Sequence, residues 1–258
     1  MIYTCYEMIR DCRADRAEGW RYFVANYVPV MRRIAAHYAP ETSADELIAR
    51  LVSGLRGAGS SLFESLDPAP ERWFVAQLRQ QMLAGISAAA PENPLPLEVL
   101  AEAWSPLTLT QKLAAWLETM QYDAKAAGTM LRMAPPTVEK IRGQAADLLR
   151  GKLDHWSRAL VSENGRALGI ATAGAAGKEC LTPKVFLDVL DGRATWQDRE
   201  DMERHASGCW HCIDHFGRMA EVIELLRGAR PLEDTEISPW LELMGVAEAR
   251  RSFWRRRT

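Results

Sequence analysis

Long apolar runs are missing from this 258-residue chain. No stretch approaches the roughly 20 residues that a bilayer span needs, so no membrane partner is expected. Excess charge of one sign is missing too. The formal net charge is −2, and nothing global demands a nucleic-acid partner. No secretory-type stretch stands out, and the cysteines number five, an odd count, which points to a reducing, cytoplasmic compartment. Alternating β-branched runs are scarce while Ala, Leu, Arg and Glu abound, so the expected fold class is all-α. Absent also are a nucleophile elbow, a glycine-rich phosphate loop and an HExxH motif. Glu118, Asp123 and the other carboxylates fall on faces expected to be solvated, so no enzymatic activity is expected. The length suffices for two or three small domains with real cores. Nine tryptophans are many for that length, but they are scattered, and core or interface packing explains them best.

What is present is concentrated near the end. The run His205-Ala-Ser-Gly-Cys209-Trp-His-Cys212 follows Cys180, which lies 25 residues before His205. Three thiols and an imidazole are donors that a tetrahedral zinc site takes. His205 and Cys209, four apart, share a face in a helical chain, and Gly208 is placed to end that helix so that Cys209 and Cys212 open the next. The intervening stretch reads as a helical hairpin that returns Cys180 to His205. Thr182-Pro183 is an N-cap with proline in the first turn, and Val185, Phe186, Val189 and Leu190 make an apolar stripe ended by Gly192. Thr195, with Asp198 three residues on, is close to a capping box opening a second helix that ends at His205. His211 or His215 remains an alternative to one of the four ligands. A Cys-x-x-Cys pair also serves redox chemistry, but the βαβ context for that is lacking. Four protein donors leave no place for substrate, which argues for a structural or sensing metal.

Residues 180–212 resemble the zinc-binding anti-sigma domain, whose pattern is a Cys or His, a gap of about 25 residues, then His-x3-Cys-x2-Cys. The resemblance implies that Cys180, His205, Cys209 and Cys212 hold Zn2+. It also implies that the following helix, with Phe216, Met219, Ile223 and Leu226 at helical spacing, joins its neighbours in binding a sigma factor.

The stretch from about 107 to 154 has helix-turn-helix grammar. Leu107 to Met120 is amphipathic, and Asp123 caps a short helix to Leu131. A turn follows at Met133-Ala-Pro-Pro136, and Thr137 and Val138 open a longer helix to about Leu153. Its buried side is expected to carry Ile141, Ala145, Leu148 and Leu149. Lys140, Arg142, Arg150 and Lys152 are placed to face phosphates if that helix enters a major groove. A helical hairpin that touches no DNA is the alternative. The segment is similar to region 4 of an extracytoplasmic-function sigma factor through Tyr122, Ala126, Ala127, Leu131, Thr137 and Val138. That resemblance implies DNA contacts from Thr137, Lys140, Arg142 and Arg150. The family's Lys-Ser-Arg is Glu139-Lys140-Ile141 here, and each lost phosphate contact weakens binding and flattens its salt dependence.

Residues 1–90 resemble region 2 of the same family. Tyr6-Glu-Met-Ile9, Trp20, Phe23, Tyr27, Val30 and Ile34 suit an opening helix pair. Asp45-Glu-Leu-Ile48 stands where the family has its polymerase-binding helix, and Arg72-Trp73-Phe74 through Gln81 matches its next segment.

The expected organisation is therefore a region 2-like helical domain at 1–90, a region 4-like helix-turn-helix at 100–158, a flexible linker at 162–178, a zinc-binding anti-sigma domain at 179–227 and a basic tail at 228–258. A break at Pro91–Pro96 separates the first two. The tail holds Arg250, Arg251, Arg255, Arg256 and Arg257, but Ile237, Trp240, Leu241 and Leu243 suit a short helix docked on the sigma-like part. The implied role is a cytoplasmic transcription regulator whose zinc domain masks its sigma-like part. The implied partners are RNA polymerase core or a sigma factor, with promoter DNA a further one. The alternative is a scaffold that binds a sigma factor or polymerase without reading DNA.

Overall fold

The structure is a computed structural model and describes residues 3–56, 61–64, 71–85, 97–154, 158, 161, 172 and 179–246. Among these every regular element is an α-helix. The break at Pro91–Pro96, the linker at 162–178 apart from Thr172, and the arginines of the tail lie outside the described residues. Two compact units divide the chain. One takes 1–86 together with 225–258, and the other takes 87–224.

The first unit is built on α2 (Ala17–Tyr38), against which pack α1 (Cys5–Arg13), α3 (Ala44–Ser53) and α5 (Glu71–Gly85), while α4 (Ser61–Glu64) touches α1. Thr4 opens α1 with a reciprocal capping box to Glu7, which satisfies amide donors the helix leaves orphaned. The apolar positions of α2 recur every three or four residues and bury Trp20, Phe23, Tyr27, Val30 and Ile34. Their rings meet Phe63 and Phe74 mostly edge to face, the arrangement that aromatic quadrupoles favour. The chain returns to this unit as α13 (Asp234–Leu243), which packs on α2 and α3. Leu232 N–H donates to the Ala25 carbonyl at 2.8 Å, and the Arg32 guanidinium lies over the Trp240 ring. Ile237, Trp240 and Leu241 are buried there, whereas Leu243 is exposed.

The second unit opens with α6 (Leu97–Ala103), followed by a three-helix cluster of α7 (Leu109–Thr119), α8 (Ala124–Leu131) and α9 (Pro135–Leu149). Thr108 and Gln111 form the capping box of α7. The Asp123 carboxylate caps α8 by accepting from Ala126 N–H at 2.7 Å. The turn into α9 places Arg132 in the left-handed region at φ 56. It also brings the Met133 carbonyl so close to Gly128 that a Cβ there would stand 2.7 Å from it, so this turn requires glycine. Helix α9 starts two residues before Thr137, because prolines at 135 and 136 suit a first turn, and it ends at Leu149 rather than Leu153. Its buried residues are Val138 and Ala145. Leu148, expected inside, is 46% exposed, since the face of α9 that meets α7 and α8 runs through 138 and 145 and leaves 148 outside.

Three further helices complete this unit: α10 (Pro183–Leu190), α11 (Trp196–Gly208) and α12 (Trp210–Gly228), the last belonging to it as far as Glu224.

Candidate metal centre

Helices α10 and α11 form the hairpin that assembles the site. Thr182 begins α10 in extended geometry, although its hydroxyl makes no capping bond. Phe186, Leu187 and Leu190 are buried, so Leu187 replaces Val185 and Val189 in the inward stripe. Gly192 turns the chain at φ 73, a conformation that costs glycine nothing. Asp188 braces the turn by accepting from Lys184 at 2.7 Å and from Arg193 at 2.9 and 3.1 Å. Those cations hold its carboxyl below the ordinary aspartate value. Thr195 and Asp198 then make a true capping box at the start of α11. The helix runs three residues past His205, to Gly208.

Cys180 arrives just ahead of α10, His205 sits in the last turns of α11, Cys209 leaves that helix in extended geometry (φ −122, ψ 108), and Cys212 lies in the first turn of α12. The structure brings all four together, with the donor atoms within 4.8 Å of one another. Cys180 Sγ and Cys209 Sγ are 3.8 Å apart. Two sulfurs at a Zn–S length of about 2.3 Å and a tetrahedral angle stand about 3.8 Å apart, so this is the spacing of co-ligands. It is far beyond the roughly 2.05 Å of a disulfide, and all five cysteines are free thiols.

Two further observations fit a cation. Nε2 of His205 is buried and has no hydrogen-bond partner, a costly state for an imidazole nitrogen that ligation removes. The Cys212 thiol is pushed up to about 12, first by burial and then by the neighbouring Cys209 and Cys180 sulfurs, against a hydrogen bond from Leu181 N–H. A bound cation inverts that order, because it stabilises the thiolates that otherwise repel one another. The Leu181 amide is then the kind of outer contact that orients a ligand.

The alternative imidazoles are placed elsewhere. His211 Nδ1 lies 3.1 Å from the Thr172 carbonyl, and His215 packs on the Phe186 ring at 5.2 Å; neither is in the ligand cluster. Cys5 and Cys12 belong to the first unit, where the Cys12 thiol meets Met8 Sδ at 3.7 Å in the core.

Residues 207–221 are tied to α7 and its flanks by contacts that the sequence patterns did not foretell, although Tyr122 stood among the residues of the region 4 resemblance. Trp210, between two ligands, packs its ring 5.0 Å from Trp104 and 5.1 Å from Trp116. Trp116 Nε1 donates to Asp214 at 3.1 Å, and Asp214 pairs with Arg218. The Tyr122 hydroxyl donates to Glu221, and the Lys112 ammonium donates to the Ser207 carbonyl. Asp214 and Glu221 are fully buried, which corrects the expectation that the carboxylates lie on solvated faces. Glu118 does, at 60% side-chain exposure. Asp214 and Arg218 at i,i+4, interleaved with Ile213, Phe216 and Met219, were the available signal for an ion pair on this helix.

The expected DNA-facing residues are not alike in placement. Thr137 and Lys140 are exposed on α9. Arg142 turns inward, donating from Nε to the Ala114 carbonyl at 3.2 Å and from Nη2 to that of Tyr122 at 3.0 Å. Arg150 is bound to Asp147 at 2.6 Å.

No protein-family model, curated protein or solved structure matches the chain. What fold and site define is an all-helical protein with a Cys3His cluster able to hold a metal ion. Among the described residues no helix is long and apolar enough to cross a membrane.

Proposed function

We propose that this chain is a transcription regulator of the sigma-factor type, working in the cytoplasm, whose zinc-bearing anti-sigma-like segment restrains its helix-turn-helix part. The observation that carries this reading is the cluster of Cys180, His205, Cys209 and Cys212 in the same compact unit as α7, α8 and α9. Three thiolates and one imidazole in tetrahedral reach favour Zn2+ among the common divalent ions. The metal fastens α11, which buries only Met202 and Ala206, to the start of α10, and so fixes a helical surface beside the helix-turn-helix. RNA polymerase core is the partner the restrained part would engage on release, and promoter DNA the target.

The test is capture of RNA polymerase by the full chain and by its Cys209→Ser, Cys212→Ser double variant. Stronger capture by the variant supports restraint by the metal segment. Failure of both to capture polymerase discards the sigma-type reading.

One observation favours a second reading, a scaffold that binds a sigma factor or polymerase without reading DNA. Arg142 spends donors on the carbonyls of Ala114 and Tyr122, and exposed Arg150 is paired with the Asp147 carboxylate, so one of the four residues expected at phosphates is turned inward and a second carries a neutralising partner. A DNA titration of the full chain at several salt concentrations separates the two. A steep slope of affinity against salt supports the first reading, and absence of binding supports the second.

A further inference from the structure

Helix α11 delivers His205 and then releases the chain toward Cys209. Its final carbonyls have no amide four residues on, because Cys209 is already extended. Cys209 N–H takes the Ala206 carbonyl at 3.3 Å, which leaves that of Ser207 in need of another donor. The donor comes from outside the segment. Lys112, on α7 and only 6% exposed, gives its ammonium to the Ser207 carbonyl. A cation at a helix C-terminus also suits the helix dipole. One turn further along α7, Trp116 packs against Trp210. Residues four apart on α7 therefore grip the chain two residues before Cys209 and one residue after it.

A buried lysine is usually paired with a carboxylate. Here its bond is to a carbonyl, and burial pulls its pKa below the ordinary lysine value. The chemistry of the neighbouring site supplies a reason for a full charge at this place. A divalent cation held by three thiolates and a neutral imidazole carries roughly one net negative charge, which a buried ammonium beside the ligand loop offsets.

We infer that Lys112 is a positioning residue for the metal centre: from the helix-turn-helix side it fixes the Ser207–Cys209 turn, sets the direction of the Cys209 thiolate and balances the charge of the loaded site. The inference rests on the metal-centre reading. It also makes the two halves of the unit reciprocal, because whatever Lys112 contributes to metal affinity, metal returns to the docking of α7.

The experiment is a cobalt(II) titration of the full chain, read by sulfur-to-cobalt absorption, with zinc affinity measured against a chromophoric chelator. Lys112→Met is expected to bind about 10- to 100-fold more weakly, the usual loss for an outer contact of a metal ligand, with a shifted cobalt spectrum. Lys112→Arg keeps charge and donor and is expected to restore both. Ala145→Gly, at a buried position of α9, loosens the unit without touching the site and is expected to leave affinity and spectrum near those of the parent. Should Lys112→Met not fold, Lys112→Gln against Lys112→Arg carries the test, with the neutral variant binding several-fold more weakly. The inference is overturned if the neutral variant matches the parent, if its loss equals that of Ala145→Gly at the same stability, or if arginine fails to rescue. If the parent takes up no cobalt, the metal-centre reading itself falls, a result distinct from all of these.

Discussion

The two units keep their helices in place by different means. In the first, α2 alone buries Trp20, Phe23, Val24, Tyr27, Val28, Val30, Met31 and Ile34, and the rings of Phe63 and Phe74 fill the space between helices. Burial of that kind stabilises by roughly 1.5–3 kcal/mol per large side chain, so this unit needs no other fastening. One helix at the rear of the second unit, α11, has little of that burial. Helix α11 has 13 residues and buries only Met202 and Ala206; the rest of it is largely charged. It has a capping box at one end, the Cys3His cluster at the other and the Lys112 ammonium on its Ser207 carbonyl. The contrast teaches that chemistry concentrates where apolar area runs out. A short polar helix with two cysteines after it is where a metal-ligating cluster is worth seeking, because its own composition supplies little packing.

The sharpest way to break that comparison is to deny the Cys3His cluster the zinc proposed for it. A structural zinc site contributes on the order of 10 kcal/mol or more of apparent folding free energy. Chelation is therefore expected to abolish hydrogen-exchange protection across α10, α11 and the start of α12, while α1, α2 and α5 keep theirs. Loss of protection spread evenly over both units would show that the units do not differ in this way. The converse cut is Phe74→Ala. Phe74 is fully buried, with Tyr27 at 4.8 Å and Phe63 at 5.9 Å. Its truncation is expected to cost about 3–5 kcal/mol in denaturant unfolding of the first unit, with metal stoichiometry unchanged.

Local grammar made much of this legible. That Cys180, His205, Cys209 and Cys212 come together followed from spacing and donor chemistry, and the capping residues Asp123 and Thr195 were visible because a cap acts over three residues. What could not be read were choices made between helices. Arg142 was expected to face phosphates, but whether an arginine reaches outward or bonds a neighbouring helix's carbonyls depends on where Ala114 and Tyr122 end up. Leu148 was expected inside because it is apolar, yet the packed stripe of α9 passes it by. Asp214 and Glu221 looked solvated because a carboxylate usually is, and only the positions of Trp116 and Tyr122 explain their burial. Docking of α13 on α2 and α3 was read as an option and is observed; the choice depended on Ala25, Arg32 and Trp240, more than 200 residues apart at their extremes.

A finer cut tests the polar side of the contrast. Trp116→Phe keeps an aromatic ring beside Trp210 but removes the donor to buried Asp214. A hydrogen bond to a charged, buried acceptor is worth about 1–3 kcal/mol when lost, so unfolding of the second unit is expected to shift by that amount. In a double-mutant cycle with Asp214→Asn, the two changes together are expected to cost less than their sum. Strict additivity would mean that the bond contributes nothing.

The smallest expected effect lies at the far end of α11. Thr195 Oγ accepts from Asp198 N–H at 3.2 Å, and the Asp198 carboxylate accepts from Thr195 N–H at 3.0 Å and from its hydroxyl at 2.7 Å. Thr195→Ala is expected to cost about 1 kcal/mol, seen as faster amide exchange in the first turn of α11 with the ligands still in place. The Thr195 hydroxyl, then its amide, holds the Asp198 carboxyl below the ordinary value. A group whose folded pKa is depressed contributes fully above its unfolded value, about 3.9 for aspartate, and loses the contribution only as pH falls through the folded value. The difference between Thr195→Ala and the parent is therefore expected to stay flat from pH 7 to pH 5. A difference that fades inside that window would mean that Asp198 takes up its proton too early for the cap to be what starts this helix.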